Sequence, residues 1–207
     1  MRAPSRSGDT GSRAVRLAVP HALAVLLVAA ALPAQEPRAH AQTIDVACDA
    51  NSFVFQGPEI PGVGPAYGAS FVVQGVIYPA GTFAAHGVDS GLRPDGTPEF
   101  PELVIGTWTC RGWFVGDGFA TLTGPFVVTT QIYDLDPDSP GSNTLVSEGL
   151  ELIDLDTPFL RAVTGGTGPN RGVTSGQVSQ TAVGANATGL FNFTFEFHTR
   201  RPVDLGD

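Results

Sequence analysis

From residue 68 onward, apolar and polar positions alternate in short runs, and each run ends in a cluster of Gly, Pro, Asp or Asn. That rhythm predicts β-strands joined by turns. The expected strands cover 68–78, 103–115, 120–133, 144–153, 159–165, 172–182 and 188–198, with a shorter one at 51–56 opening the set. The last run is the cleanest: Phe191, Phe193, Phe195 and Phe197 alternate with Asn192, Thr194, Glu196 and His198, so one face is apolar and the other polar. No amphipathic helix pattern competes with these strands. Periodicity alone fits a sandwich or a closed barrel, and eight strands in about 150 residues suit a small up-and-down barrel. The stretch 79–100, rich in Gly, Pro and Asp, is expected to be a surface excursion near a barrel mouth.

The first forty residues follow another pattern. Arg2, Arg6, Arg13 and Arg16 precede an apolar run over 17–32, and a polar stretch then ends at Ala39-His40-Ala41, a small-x-small site. This is the order of a secretory signal peptide, with cleavage expected before Gln42 and a single domain over 42–207. Pro20 and His21 interrupt the run, leaving it short of the roughly 20 apolar residues a spanning helix needs. The expectation is a secreted protein with no stable membrane anchor after cleavage. Outside the cytoplasm the two cysteines, Cys48 and Cys110, are expected to form a disulfide, worth about 4 kcal/mol in the chain-entropy picture. The other reading is two buried thiols.

Composition narrows the chemistry. All 11 basic residues are arginine, so a phosphate-loop lysine, a Schiff base and a lysine general base are excluded. A net charge of −9 argues against a nucleic-acid partner. Asp134, Asp136 and Asp138 have the spacing of a calcium loop, but its glycine would fall at Ser139 and its final glutamate at Leu145, so a solvated acidic turn is expected. His86 and His198 show no metal-ligand spacing, no Gly-x-Ser-x-Gly elbow is present, and neither a metal nor another cofactor is expected. Asn186-Ala187-Thr188 and Asn192-Phe193-Thr194 match the glycosylation pattern, the second within an expected strand.

Three stretches in order carry a likeness to a known family. They are Gly116-Asp117-Gly118-Phe119-Ala120-Thr121-Leu122-Thr123-Gly124-Pro125-Phe126; Phe159-Leu160-Arg161-Ala162-Val163-Thr164-Gly165-Gly166-Thr167-Gly168 with Arg171-Gly172 and Gly176-Gln177-Val178; and Leu190-Phe191-Asn192-Phe193-Thr194-Phe195. Over 113–198 the chain resembles the allene oxide cyclase and dirigent-protein families, including a bacterial branch with an allene-oxide-cyclase barrel-like domain. The resemblance implies an all-β fold, a closed eight-stranded antiparallel barrel of calycin type, following the signal peptide. It also implies a homo-oligomer, since related barrels form dimers or trimers. Without a following helix or any lysine, Gly165–Gly168 reads as a turn rather than a phosphate loop. The family's acidic residue has no clear counterpart at Asp45, Asp49 or Glu59, so the fold carries over better than the chemistry.

Within such a barrel the candidate ligand-binding residues are Tyr78, Trp108, Arg111, Glu151, Phe193 and Phe195. Trp108 shares a strand face with Cys110, and Arg111 shares the other with Trp113. An inward arginine would need a carboxylate or an anionic ligand, and Glu151 with Arg161 on the neighbouring strand is one such pair. The plainer expectation is that these charges face water and the phenylalanines are core. The leading function is binding of a small hydrophobic molecule, with templating of its cyclisation or coupling. The alternatives are a true isomerase or cyclase of the allene oxide cyclase type, and a ligand-free structural or adhesion module. No catalytic residue is assigned.

Overall fold

A computed structural model describes residues 40–206. The chain forms β1 (His40–Gln56), β2 (Glu59–Ile60), β3 (Gly64–Pro65), β4 (Ser70–Pro79), β5 (Gly106–Phe114), β6 (Pro125–Asp134), β7 (Thr144–Leu152), β8 (Phe159–Gly166), β9 (Gly176–Ala185) and β10 (Phe191–Thr199). Among the described residues one short α-helix, α1 (Thr82–His86), occurs, in the β4–β5 connection. Strands β1 and β4 to β10 pair antiparallel around a closed barrel, while β2 and β3 make a small hairpin of their own. The expected signal peptide lies outside the described residues except His40 and Ala41, which open β1.

Alternation decides what faces inward. Along β5, Trp108, Cys110, Gly112 and Phe114 are buried while Thr107, Arg111 and Trp113 are exposed. The phenylalanine ladder of β10 does the same, with Phe193, Phe195 and Phe197 in the core. Closure needs sharp coiling, and glycine supplies it: a Cβ on Gly112 would stand 2.1 Å from the Val128 carbonyl oxygen. The largest departure from the expected strands is β1, which begins at His40 rather than at 51. Its 17 residues pair with both β10 and β4 and close the barrel. Its middle, Ile44 to Cys48, is buried on both faces, so the alternation that marks a half-exposed strand is missing there.

The two ends differ. The connections 80–105, 135–143 and 167–175 and the C-terminal tail gather at one end, where Leu135, Val173 and Val203 fill the bore and Gln42 Nε2 donates to the Val203 carbonyl at 2.6 Å. The excursion 80–105 leaves from this closed end and folds along the outside, contrary to the expectation of a mouth. It covers Ala47 and Tyr78 with Phe83 and Leu92, and Asp45 of β1 accepts from the Phe83 amide at 3.2 Å and Thr194 Oγ1 at 2.8 Å. The connections 57–69, 115–124, 153–158 and 186–190 gather at the other end, the mouth. Residues 120–124, expected as strand, form part of a mouth loop. Gly118 (φ 61°) and Gly124 (φ 79°) turn the backbone there, and Asp154 holds it by accepting from the Gly124 amide at 2.6 Å and Thr123 Oγ1 at 2.5 Å.

Candidate functional site

The barrel is a cup. Behind its mouth lies a cavity of about 270 Å³. Its walls are mostly aromatic: Phe53, Phe71, Phe114, Phe126, Phe191 and Phe193 all project from the mouth ends of their strands. Phe119 comes from the β5–β6 loop and packs over the opening, with ring centroids 5.6 Å from Phe53 and 5.3 Å from Phe114. This close docking requires glycine at 118, where a Cβ would stand 1.6 Å from the Pro65 carbonyl oxygen.

The floor is polar. Cys48, Trp108, Cys110 and Glu151 line the inner part of the cavity. Glu151 is 3% exposed, and its Oε1 accepts from Thr129 Oγ1, from Gln131 Nε2 at 2.9 Å and from Cys110 Sγ at 3.5 Å. Its Oε2 accepts from Gln180 Nε2 at 3.1 Å. Arg161 stands 3.5 Å from Oε1. Behind this carboxylate the network continues: Tyr133 donates to Gln131 Oε1 at 2.6 Å and meets Ser147 Oγ at 3.1 Å, and Arg161 Nε donates to that same hydroxyl at 3.1 Å. Gly149 faces the bore and leaves room for the Arg161 stem, whose Cγ would lie 3.3 Å from a Cβ there. The Trp108 indole N–H is buried without a partner. Leaving such a donor unmet costs about 1–3 kcal/mol, so it is a feature to account for.

The expected site residues divide between the two faces. Trp108, Glu151 and Phe193 line the cavity, and Phe195 is buried deeper in the same core. Arg111, one residue from Cys110, points out and lies exposed beside Trp113 on the barrel wall, away from the cup, where the plainer expectation put it. Tyr78 also faces outward, buried beneath the β4–β5 excursion, where its hydroxyl donates to the Gly91 carbonyl at 2.6 Å. Glu151 and Arg161, whose plainer reading was exposure to water, form the buried pair. Thr129, Gln131, Ser147 and Gln180 were missed. Gln180 is a single polar letter between Val178 and Ala182, Thr129 and Gln131 are successive inward positions of β6, and Ser147 shares its face with Glu151, a signal visible only once the register is known.

The expected disulfide is corrected, because Cys48 and Cys110 are free thiols. Cys48 is opposite Gly75 on β4, and Cys110 is opposite Val73 on the other edge of that strand. Two strand spacings separate their backbones by about 9.5 Å, beyond the roughly 7 Å that a disulfide tolerates. Burial raises both thiol pKa values well above the ordinary range, and the Glu151 carboxylate raises them further. We expect two titratable thiols per chain on denaturation and none in the folded protein; one disulfide and no thiol after denaturation would contradict this arrangement.

Other chemical candidates lie away from the cup. Asp136 bonds within its own turn, accepting from the Ser139 amide at 3.1 Å and Ser142 Oγ at 2.6 Å. No cluster of three potential metal ligands occurs among the described residues. Both sequon asparagines are buried, with Asn186 Nδ2 donating to the Cys48 carbonyl at 2.8 Å and Asn192 Nδ2 to the Ser90 carbonyl at 2.7 Å.

No family model and no curated protein matches the sequence. Solved structures match the fold. Two pterocarpan synthase dirigent proteins, GePTS1 and PsPTS1, superpose with TM-scores of 0.52 each at 12% and 16% identity. The matches cover 82% and 80% of this chain and 91% and 96% of theirs. Pyocyanin demethylase matches at TM-score 0.49 and 16% identity, over 77% of this chain and 99% of that one. The chain has a dirigent-like eight-stranded barrel. At such identities the likeness concerns fold alone.

Proposed function

We propose that this barrel binds a small hydrophobic molecule in the aromatic cup and restricts its conformations, as a template for cyclisation or coupling. The observation that carries the reading is the cavity itself: about 270 Å³ walled by aromatic rings, close to the lower size of small-molecule sites and floored by a buried carboxylate. A ligand-free structural module would have little reason to leave its bore unfilled at one end while plugging the other. The orphan indole N–H of Trp108 favours a guest carrying one hydrogen-bond acceptor. A second reading, true isomerase or cyclase activity, is favoured by Glu151 alone: a carboxylate held by four neutral donors and beside Arg161 could stabilise positive charge developing on a guest. Export through residues 1–41, and assembly into a homo-oligomer, belong to this proposal as well.

Trp108 and Trp113 are the only tryptophans, so a Trp113→Phe variant reports on the cavity. Energy transfer from Trp108 to N-phenyl-1-naphthylamine, a neutral apolar fluorophore, should rise saturably in that variant. Adding Val73→Phe, which fills cavity space at a buried wall position, should weaken binding at least about tenfold, since the site loses the volume its guest occupies. Arg111→Ala, on the outer wall, should leave it unchanged. No saturable transfer, or transfer indifferent to Val73→Phe, would remove the cavity as a binding site. Native mass spectrometry of the purified protein then identifies any guest that travels with it.

A further inference from the structure

The exposed apolar side chains of the barrel are not scattered. In the connections, Val63, Tyr67, Phe119, Leu122 and Leu155 all belong to mouth loops, with Leu122 90% and Tyr67 70% exposed. Those on the wall, such as Trp113 and Leu160, lie on the half of their strands nearest the mouth. Among the described residues of the other connections, Val88 alone is of this kind. The result is a collar of apolar groups around the cavity opening, the segregation that marks an interaction surface rather than ordinary surface leucines.

Charge in the loops of the collar is one-sided, although Arg111 lies exposed beside Trp113 on the wall below them. The four mouth loops contain Glu59, Asp117, Asp154 and Asp156 and not one Arg, Lys or His. The closed-end connections and tail carry both signs, with Arg93, Arg171, Arg200 and Arg201 among a larger number of carboxylates such as Asp89, Glu102 and Asp138. An anionic membrane attracts basic segments and repels acidic ones. A zwitterionic choline-headgroup surface presents trimethylammonium groups outermost and hydrocarbon just below, partners for the exposed loop carboxylates such as Glu59 and Asp156 and for the apolar side chains beside them.

We propose that the mouth collar docks on a zwitterionic, choline-headgroup lipid surface, inserting Leu122, Phe119 and Tyr67, so that the cavity opens toward the hydrocarbon. Docking stands on the collar and not on the guest. The vesicle experiment below and the fluorophore experiment above therefore succeed or fail separately.

The test places an indole at the tip. In the Trp113→Phe background, Leu122→Trp is compared with Ser139→Trp, an exposed site in the β6–β7 loop at the closed end. Vesicles of brominated phosphatidylcholine quench indoles that enter the acyl region. The full chain is used, and any tethering by its first 39 residues acts on both variants alike. The Leu122→Trp indole should shift to the blue and lose about half its emission, because interfacial apolar faces sit about 5–10 Å into the headgroup–acyl boundary. With the Trp108 emission of the Trp113→Phe parent on the same vesicles subtracted, the Ser139→Trp indole should not change, and replacing a third of the lipid by phosphatidylglycerol should weaken the effect. No quenching, equal quenching at both sites, or stronger quenching on the anionic vesicles overturns the proposal. So does a self-associated chain that Leu122→Asp converts to monomers without any lipid response, since the collar would then serve a second copy.

Discussion

Replacing Arg161 by methionine should cost about 3–5 kcal/mol, read as a fall in the urea midpoint at constant slope, because it leaves a buried charge without its counterion. The guanidinium is fully buried. Backbone pairing between β7 and β8 covers only Leu145–Glu148 against Ala162–Gly166. Past that point the guanidinium substitutes for the missing ladder, donating to the carbonyls of Gly149 and Leu150 at 3.4 Å each and to Thr129 on β6 at 3.1 Å. Methionine fills much of the volume and supplies none of these donors. Adding Glu151→Leu should recover a large part of the loss, since removing both charges together leaves no uncompensated ion in the bore. A single-variant cost below about 1 kcal/mol would mean the neutral donors around Glu151 hold it unaided, at the level of an ordinary hydrogen bond. The same pair sets the cavity's electrostatics: Arg161 keeps a carboxylate tolerable beneath an aromatic wall, where a lone charge would be expelled or neutralised.

Much of the barrel was legible in the chain because its strands have one wet face. The phenylalanine ladder of β10 and the alternation of β5 both state the register directly, and that register correctly grouped Trp108 with Cys110 and Arg111 with Trp113. Alternation does not state which group faces inward when both are mixed, so it offered Trp108 and Arg111, on opposite faces, as candidates together. Tyr78 shows a second limit: the outer wall of β1, β4 and β10 is itself buried by the 80–105 excursion, so burial there does not mean bore. The start of β1 was invisible because Ile44 to Cys48 is covered on both sides. The disulfide was inferred from an expected compartment, and compartment cannot shorten two strand spacings. The polar network around Glu151 was the least legible element. Its members come from five strands, β5 to β9, and become one site only on closure.

Alkali should unfold this protein earlier than its fold alone would suggest, and the two thiols should dominate the early part of the loss. Cys48 and Cys110 have ordinary pKa values near 9, and burial, aided by the Glu151 charge, raises both well above that. Burial also raises Tyr133 from its ordinary value near 10, and Tyr78 is pushed up to about 12. Above pH 9 the unfolded chain gives up thiol protons that the folded chain keeps, so it binds fewer protons and stability falls as pH rises. The contribution is fully present below the unfolded values and is lost toward the folded ones. Each thiol should remove up to about 1.4 kcal/mol per pH unit once the unfolded form is ionised, or about 2.7 kcal/mol for the pair between pH 10 and 11. The phenols steepen the loss from pH 10 upward. The measurement is urea unfolding from pH 8 to 11 on the parent chain and on a Cys48→Ala, Cys110→Ala variant. The variant should start less stable, having lost buried sulfur, yet hold a nearly flat profile between pH 8.5 and 9.5 while the parent declines. Identical slopes would mean the thiols do not titrate on unfolding, as in a chain where the sulfurs are bonded to each other, and the free-thiol floor of the cavity would have to be abandoned.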